Sequence, residues 1–174
     1  MSQDKVWKVL IVDDDVFLRE IFVDVFRESK FDVRQATDGE QGLQMAMADK
    51  PDIIITGIMM PKLSGFELLA KLKENPATKD VPVFVFSHLG KEEDRKRAFE
   101  LGAKDFIVKG LVTPLEVVRR ARNVLTGQVF RVAIDPEILD AKLLLQGKAG
   151  RPVLELKPDP ESGEGSFRAR LITE

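Results

Sequence analysis

The chain has 174 residues, 44% hydrophobic and 32% charged, which is enough for one well-packed domain and a small addition. Its 27 basic and 29 acidic residues give a formal net charge of −2, and it has no cysteine. These figures exclude disulfides and thiolate metal sites, and they give no electrostatic reason to expect nucleic acid or an anionic membrane.

The amino-terminal residues have no apolar core of the kind that secretory signals carry. No apolar run approaches the roughly 18 residues that a membrane span requires. We therefore expect a cytoplasmic protein with no nucleic-acid partner and no membrane partner.

The first half of the chain alternates between short strands and helices. "KVLIV" is almost entirely aliphatic, which is typical of a strand covered on both faces, and "FDVRQA" alternates like a more exposed strand. Between them an apolar helix face is predicted from Leu18, Ile21, Phe22 and Val25. The next helix, "DGEQGLQMAMADK", is predicted to turn inward Leu43, Ala46 and Met47.

The alternation continues to about Leu125. "DIIIT", "VPVFVFS" and "KDFIVK" are the third, fourth and fifth predicted strands. Ser64 and Glu67 have the spacing of a capping box at the start of the third helix, and Gly102 is placed to end the fourth.

The fifth helix, "LEVVRRARNVL", follows a capping residue, a first-turn proline and a capping-box acid, which are Thr113, Pro114 and Glu116. Strict alternation with short connections predicts a doubly wound five-stranded parallel sheet with helices on both faces.

Beyond Gly127 the pattern changes to β-α-β-β, from "VFRVAI", "EILDAKLLLQ", "VLELK" and "FRARLIT". We therefore divide the chain into a first domain, residues 1–126, and a small C-terminal α+β extension, residues 127–174. So short a unit is marginal alone, and we expect it to pack on the first domain or on a partner chain. The charges after Gly127, seven basic against eight acidic, argue against a DNA-binding effector.

Polar side chains follow the predicted strands at the edge where parallel sheets collect ligands. They comprise an acidic cluster after the first strand (Asp13, Asp14 and Asp15), Ser87 with His88 after the fourth, and Lys109 after the fifth. Acids suit a hard divalent cation, while a hydroxyl and an ammonium suit phosphate oxygens. Gly57 ends the third strand, so this set has no side chain there to carry a phosphoryl group.

Residues 8–125 resemble the receiver domain of bacterial two-component response regulators. The resemblance rests on "LIVDDD", on "PDIIITGIMMPKLSGFELL", and on Ser87, Phe106 and Lys109. It implies a flavodoxin-like strand order 2-1-3-4-5, an acidic pair at Asp13 and Asp14, switch residues at Ser87 and Phe106, and a phosphoryl-pocket lysine at Lys109.

The sequence departs from the family pattern at three positions. Gly57 stands where the family has its phosphoacceptor aspartate, His88 stands where a small residue is usual, and Gly110 replaces a common proline. The resemblance implies a metal site of Asp14, the Met59 carbonyl and, through water, Asp13. Without a carboxylate at position 57, we expect Mg²⁺ to bind there only weakly.

Two functions follow from these residues. The first is a receiver in two-component or phosphorelay signalling that is not phosphorylatable in this form, is not an enzyme, and acts through protein contacts. The alternative is a native Mg²⁺-dependent phosphoryl-accepting switch whose aspartate has been replaced by Gly57 in this copy. A haloacid-dehalogenase-type phosphatase is rejected, because Val16-Phe17 stand where that family expects Gly-Thr.

The expected partners are a sensor histidine kinase or another signalling protein. A homodimer is the other arrangement considered, formed through the side of the fourth helix, fifth strand and fifth helix or through the C-terminal extension.

Overall fold

The computed structural model describes residues 5–127, 130–133, 152–158 and 167–173. The chain divides into two compact units, Met1–Leu125 and Thr126–Glu174. None of the helices in the described part of the chain is long and apolar enough to cross a membrane.

The first unit is a five-stranded parallel sheet in the order β2-β1-β3-β4-β5, which confirms the predicted fold. Its strands are β1 (Lys8–Val12), β2 (Asp32–Ala36), β3 (Ile53–Gly57), β4 (Val83–Ser87) and β5 (Asp105–Val108). Its helices are α1 (Val16–Glu28), α2 (Gly39–Ala48), α3 (Gly65–Glu74), α4 (Glu92–Glu100) and α5 (Pro114–Thr126).

Each face of this sheet has its own hydrophobic core. Alternate strand residues such as Leu10 and Ile54 pack with residues of α2, α3 and α4, and the intervening ones, such as Ile11 and Ile55, pack with α1 and α5. The inner strands consist mostly of apolar residues because both faces are covered. Both faces of the sheet are covered, and the polar residues at the strand ends lie together at one edge.

The helix boundaries follow the predicted capping chemistry. The Ser64 side chain accepts the Glu67 N–H while Glu67 accepts from the Ser64 backbone, which confirms the capping box. At α5 the Thr113 hydroxyl accepts the Glu116 N–H, but the Glu116 carboxylate bonds to Arg119 and Arg120. The predicted role of Glu116 as a capping-box acid is therefore wrong.

Two predicted helix faces need correction. Met47 is 57% exposed, and α2 instead buries Gly39, Gly42 and Ala46. A Cβ on Gly42 would lie 2.9 Å from the Val12 methyl groups, so only a stripe of small residues fits against the strand. In α1 the buried face is likewise rotated from the predicted one and contains Arg19, Phe22, Val23 and Phe26.

The second unit contains an antiparallel sheet in the order β6-β7-β8. Its strands are β6 (Phe130–Ala133), β7 (Pro152–Pro158) and β8 (Phe167–Thr173), close to the three predicted. The predicted helix "EILDAKLLLQ" lies outside the described residues.

We predict that Gly65→Ala will destabilise the first unit strongly. A Cβ on Gly65 would lie 1.9 Å from the carbonyl oxygen of Gly57, and this backbone contact cannot relax by rotating a side chain. We expect a loss of about 3 kcal/mol in the free energy of unfolding, measured by urea denaturation.

Gly42→Ala is the control for that experiment. Its new methyl group would lie 2.9 Å from the Val12 methyl groups, a smaller overlap than the 1.9 Å contact with a backbone carbonyl, and alanine also favours the helix. A loss for Gly65→Ala no larger than for this control would contradict the prediction.

Candidate functional site

The site is built on Asp13, the residue that follows β1. Its side chain is buried, its Oδ1 accepts the Asp15 N–H at 3.0 Å, and its Oδ2 accepts the Lys109 ammonium at 2.7 Å. These residues are far apart in sequence and meet because β1 and β5 end at the same edge of the sheet. Both carboxylate oxygens therefore have partners within the protein.

The Asp13–Lys109 ion pair is almost completely removed from water. The two side chains are only 5% and 7% exposed, in that order. Burying charged groups has a large desolvation cost, which the pair offsets only while both partners are present. The strand order predicted from the sequence places the two at one edge, and the structure brings them into direct contact.

Gly57 ends β3 directly beside this pair. A Cβ at this position would lie 2.9 Å from Oδ2 and 3.3 Å from Cγ of Asp13. The Asp13 carboxylate thus lies against the backbone of Gly57, at the place where a side chain would begin. The neighbouring Thr56 is fully buried, and its hydroxyl donates to the Gly57 carbonyl at 3.1 Å.

Ser87 and Phe106 are both buried. The Ser87 hydroxyl accepts the N–H groups of Leu89 and Gly90 at 3.3 and 3.2 Å, and so it holds the turn that leaves β4. Phe106 is 2% exposed and packs in the core on the α3 and α4 side of the sheet. Ser87 therefore connects the end of β4 to the segment that leads into α4.

The other acidic side chains at this edge do not complete a metal site with Asp13. Asp14 is exposed, and the Asp15 side chain caps α1 by accepting the Leu18 N–H. Within the described part of the chain, no three His, Cys, Asp or Glu side chains gather as a metal site would require. The Asp13 oxygens already bond to Lys109 and Asp15, so the residues as arranged fit a divalent cation poorly.

The loop after β3 is fixed to α2 by another ion pair. Lys62 donates to Asp38 Oδ2 at 2.8 Å, although its own backbone has a φ of +65°. The bond from the Gln41 N–H, followed by that from Lys62, holds the pKa of Asp38 below its usual value. The segment that follows Gly57 is therefore fixed to the residue that caps α2.

Sequence reasoning missed Arg19, which supports the acidic loop from below. Its guanidinium is buried, donates to the Asp13 carbonyl at 2.7 Å, and bonds to Gln35 Oε1 at 3.0 Å. The available signal was its spacing: Arg19 precedes the apolar Phe22 by three positions and lies on the same helix face.

The family model for the response regulator receiver domain matches residues 9–121. The DNA-binding dual master transcriptional regulator RpaA of Synechocystis is 32% identical over 135 residues, which cover 76% of this chain and 56% of that protein. The phosphate regulon transcriptional regulatory protein PhoB of Escherichia coli is 30% identical over 161 residues, covering 92% and 69%. The receiver domain of a Francisella response regulator is 27% identical with a TM-score of 0.65, covering 70% of this chain and 98% of that one.

The chain spans about half the length of the first curated relatives that it matches. These relatives contradict the expectation of no nucleic-acid partner, since one of them is a DNA-binding regulator. The expectation was wrong because net charge sums over a whole segment and does not describe a single surface.

We predict that Lys109→Met will cost about 3–5 kcal/mol of folding free energy, because it leaves the Asp13 charge buried without a partner. The double variant Asp13→Asn/Lys109→Met should recover part of this loss, since neither remaining group is charged. Urea denaturation of both variants measures the difference.

Arg119→Met removes a similar pair, but one in which the arginine side chain is 67% exposed. This control should cost less than about 1 kcal/mol. An equal loss of unfolding free energy in Lys109→Met and Arg119→Met would show that the Asp13–Lys109 pair stabilises the fold no more than an exposed pair does.

Proposed function

The chain belongs to the response regulator receiver family, and we propose that it is a receiver that cannot be phosphorylated in this form. Gly57 then stands at the position of the phosphoacceptor aspartate. In this proposal the protein acts in two-component signalling through contacts with other proteins, as a signalling domain and not as an enzyme.

The observation that carries this proposal is the position of the Asp13 carboxylate against Gly57. Formation of an aspartyl phosphate requires a free carboxylate oxygen aligned with the donor phosphorus. Gly57 has no such atom, and the hydroxyl of Thr56 donates to a backbone carbonyl. The adjacent carboxylate, that of Asp13, is neutralised by Lys109 at 2.7 Å.

Receiver domains bind Mg²⁺ in their active site. In this chain Asp13, Asp14 and the Met59 carbonyl would be the ligands, but Asp13 must first leave Lys109. A Mg²⁺ ion prefers near-octahedral oxygen ligation with one or two carboxylates. We therefore propose that any Mg²⁺ binding is weak.

The alternative is that the native protein is a phosphoryl-accepting switch and that Gly57 replaces its aspartate in this copy. The presence of Asp13, Asp14, Ser87 and Lys109 at one edge of the sheet favours this second candidate. Restoring the aspartate tests whether these residues can still support the chemistry.

We propose a sensor histidine kinase or another signalling protein as the partner. A homodimer could form through the side made by α4, β5 and α5, or through residues 127–174. The relatives that regulate transcription suggest that a receiver of this kind controls a DNA-binding output.

We predict that acetyl phosphate with Mg²⁺ will leave this protein unmodified and will add one phosphoryl group to Gly57→Asp. Intact-mass spectrometry followed by peptide mapping measures both results. Gly57→Asn is the matched control, because it has the same shape and no nucleophilic carboxylate. A phosphoryl group mapped to any residue of the unaltered site would refute the proposal, and an inert Gly57→Asp would refute the alternative.

We also predict that Gly57→Asp will bind Mg²⁺ more tightly than the unaltered protein and Gly57→Asn. The new side chain must displace Asp13 from the position 2.9 Å away, which frees one carboxylate and adds another. Without Mg²⁺ this variant should melt at a lower temperature, because the acids repel each other, and Mg²⁺ should restore the loss. Equal Mg²⁺ affinities measured by calorimetry in all three proteins would place the cation elsewhere.

A further inference from the structure

His88 lies between the site and the segment that leads to α4. It directly follows β4, its side chain is exposed, and its Nε2 is 3.1 Å from the Lys109 ammonium. An ammonium group has three donors and no lone pair, so Nε2 must be the acceptor in this contact. The contact therefore requires a neutral imidazole with its proton on Nδ1.

The charged groups around the His88 ring determine that protonation moves the ring away from Lys109. Lys109 contacts the ring and is itself held by Asp13, with Asp14 exposed at the same edge. A protonated His88 would direct a second N–H toward the ammonium, which places two positive groups at hydrogen-bonding distance. Lys109 is buried and paired, so the exposed ring is the group that must move.

We propose that His88 is a positioning residue that ties the β4–α4 segment to Lys109 only while its ring is neutral. The site would thereby respond to protons through a residue to which the receiver resemblance assigns no phosphoryl or metal role. That this response acts as a signal rests on the proposed receiver function. The contact between His88 and Lys109, and its loss on protonation, do not depend on that function.

Apart from His88, the β4–α4 segment is held by the Ser87 hydroxyl, which accepts the Leu89 and Gly90 N–H groups, whereas α4 itself buries little. In α4 only Ala98 is buried among the described residues, and the N-cap residue Lys91 makes no side-chain capping bond. The first turn of α4 carries acidic residues, Glu92, Glu93 and Asp94, toward which a protonated ring would be drawn. Protonation is therefore expected to shift the turn and the start of α4, including Leu89, which is 70% exposed.

The test is a titration from pH 8 to pH 5 followed by NMR, with neither Mg²⁺ nor a phosphodonor present. The chain contains a single histidine, so its ring signals are assigned without ambiguity. Imidazole is the side chain whose ordinary charge change falls in this range. We expect the backbone amides of Leu89, Gly90 and Gly110 to shift with the same midpoint as the His88 ring.

His88→Gln and His88→Ala are the matched variants. The Gln side-chain oxygen accepts a hydrogen bond at every pH, so this variant should keep the neutral-pH signals of Gly110 and lose the titration. The Ala variant has no acceptor and should resemble the low-pH form of the unaltered protein at all pH values.

Shifts confined to His88 and its chain neighbours, with Gly110 unmoved, would overturn the proposal. The same titration at Gly110 in His88→Gln would also overturn it, because another group would then be responsible. Neither result depends on whether the protein can be phosphorylated. Failure here is therefore distinct from failure of the proposed function.

Discussion

The buried ion pair between Lys109 and Asp13 is the interaction on which the arrangement of this site depends. It joins the ends of β1 and β5, the strands that lie on either side of β3 and β4 in the sheet. A charge in so enclosed a position must have a partner, and each of these two has the other. The Asp13 carboxylate is consequently directed across β3, where Gly57 leaves room for it.

Glycine at position 57 also affects the following loop through its backbone. Its carbonyl oxygen lies so close to Gly65 that no side chain fits at the start of α3. The same loop is fixed by the Gly65 N–H bond to the Ile58 carbonyl at 2.8 Å and by the Lys62–Asp38 pair. The path of the chain after β3 thus depends on contacts that a side chain at position 57 would leave in place, while the position of the Asp13 carboxylate depends on the Lys109 ion pair and on the room that Gly57 leaves.

Strand and helix positions could be predicted because they depend on local patterns. Aliphatic runs such as "DIIIT", the Ser64–Glu67 capping box and the alternation of elements each act over a few residues and define the sheet. Met47 was misplaced because helical spacing gives an apolar face only to within about one residue, and the contact of Gly42 with Val12 decided which residue turned inward. The edge of the sheet that holds the site could also be predicted from strand direction, whereas the contacts between the side chains at that edge could not. Lys109 could have bonded to Asp13 or Asp14, and only the packed geometry selects Asp13 and adds His88 as a second contact.

The ion pair also affects how the presence of the other site residues is interpreted. Asp13, Ser87 and Lys109 are present although Gly57 offers no nucleophile, and their presence can be taken as a sign that the phosphoryl chemistry was lost only recently. The structure supplies a separate reason for them. Removing one member of a buried pair costs about 3–5 kcal/mol, a large part of the stability of a small domain, and Ser87 holds the turn after β4 through two backbone N–H groups. Each residue therefore has a role in folding that persists without phosphorylation. These folding roles give the three residues a reason to persist in either case, and the labelling of Gly57→Asp is the direct measure of what the site can still do.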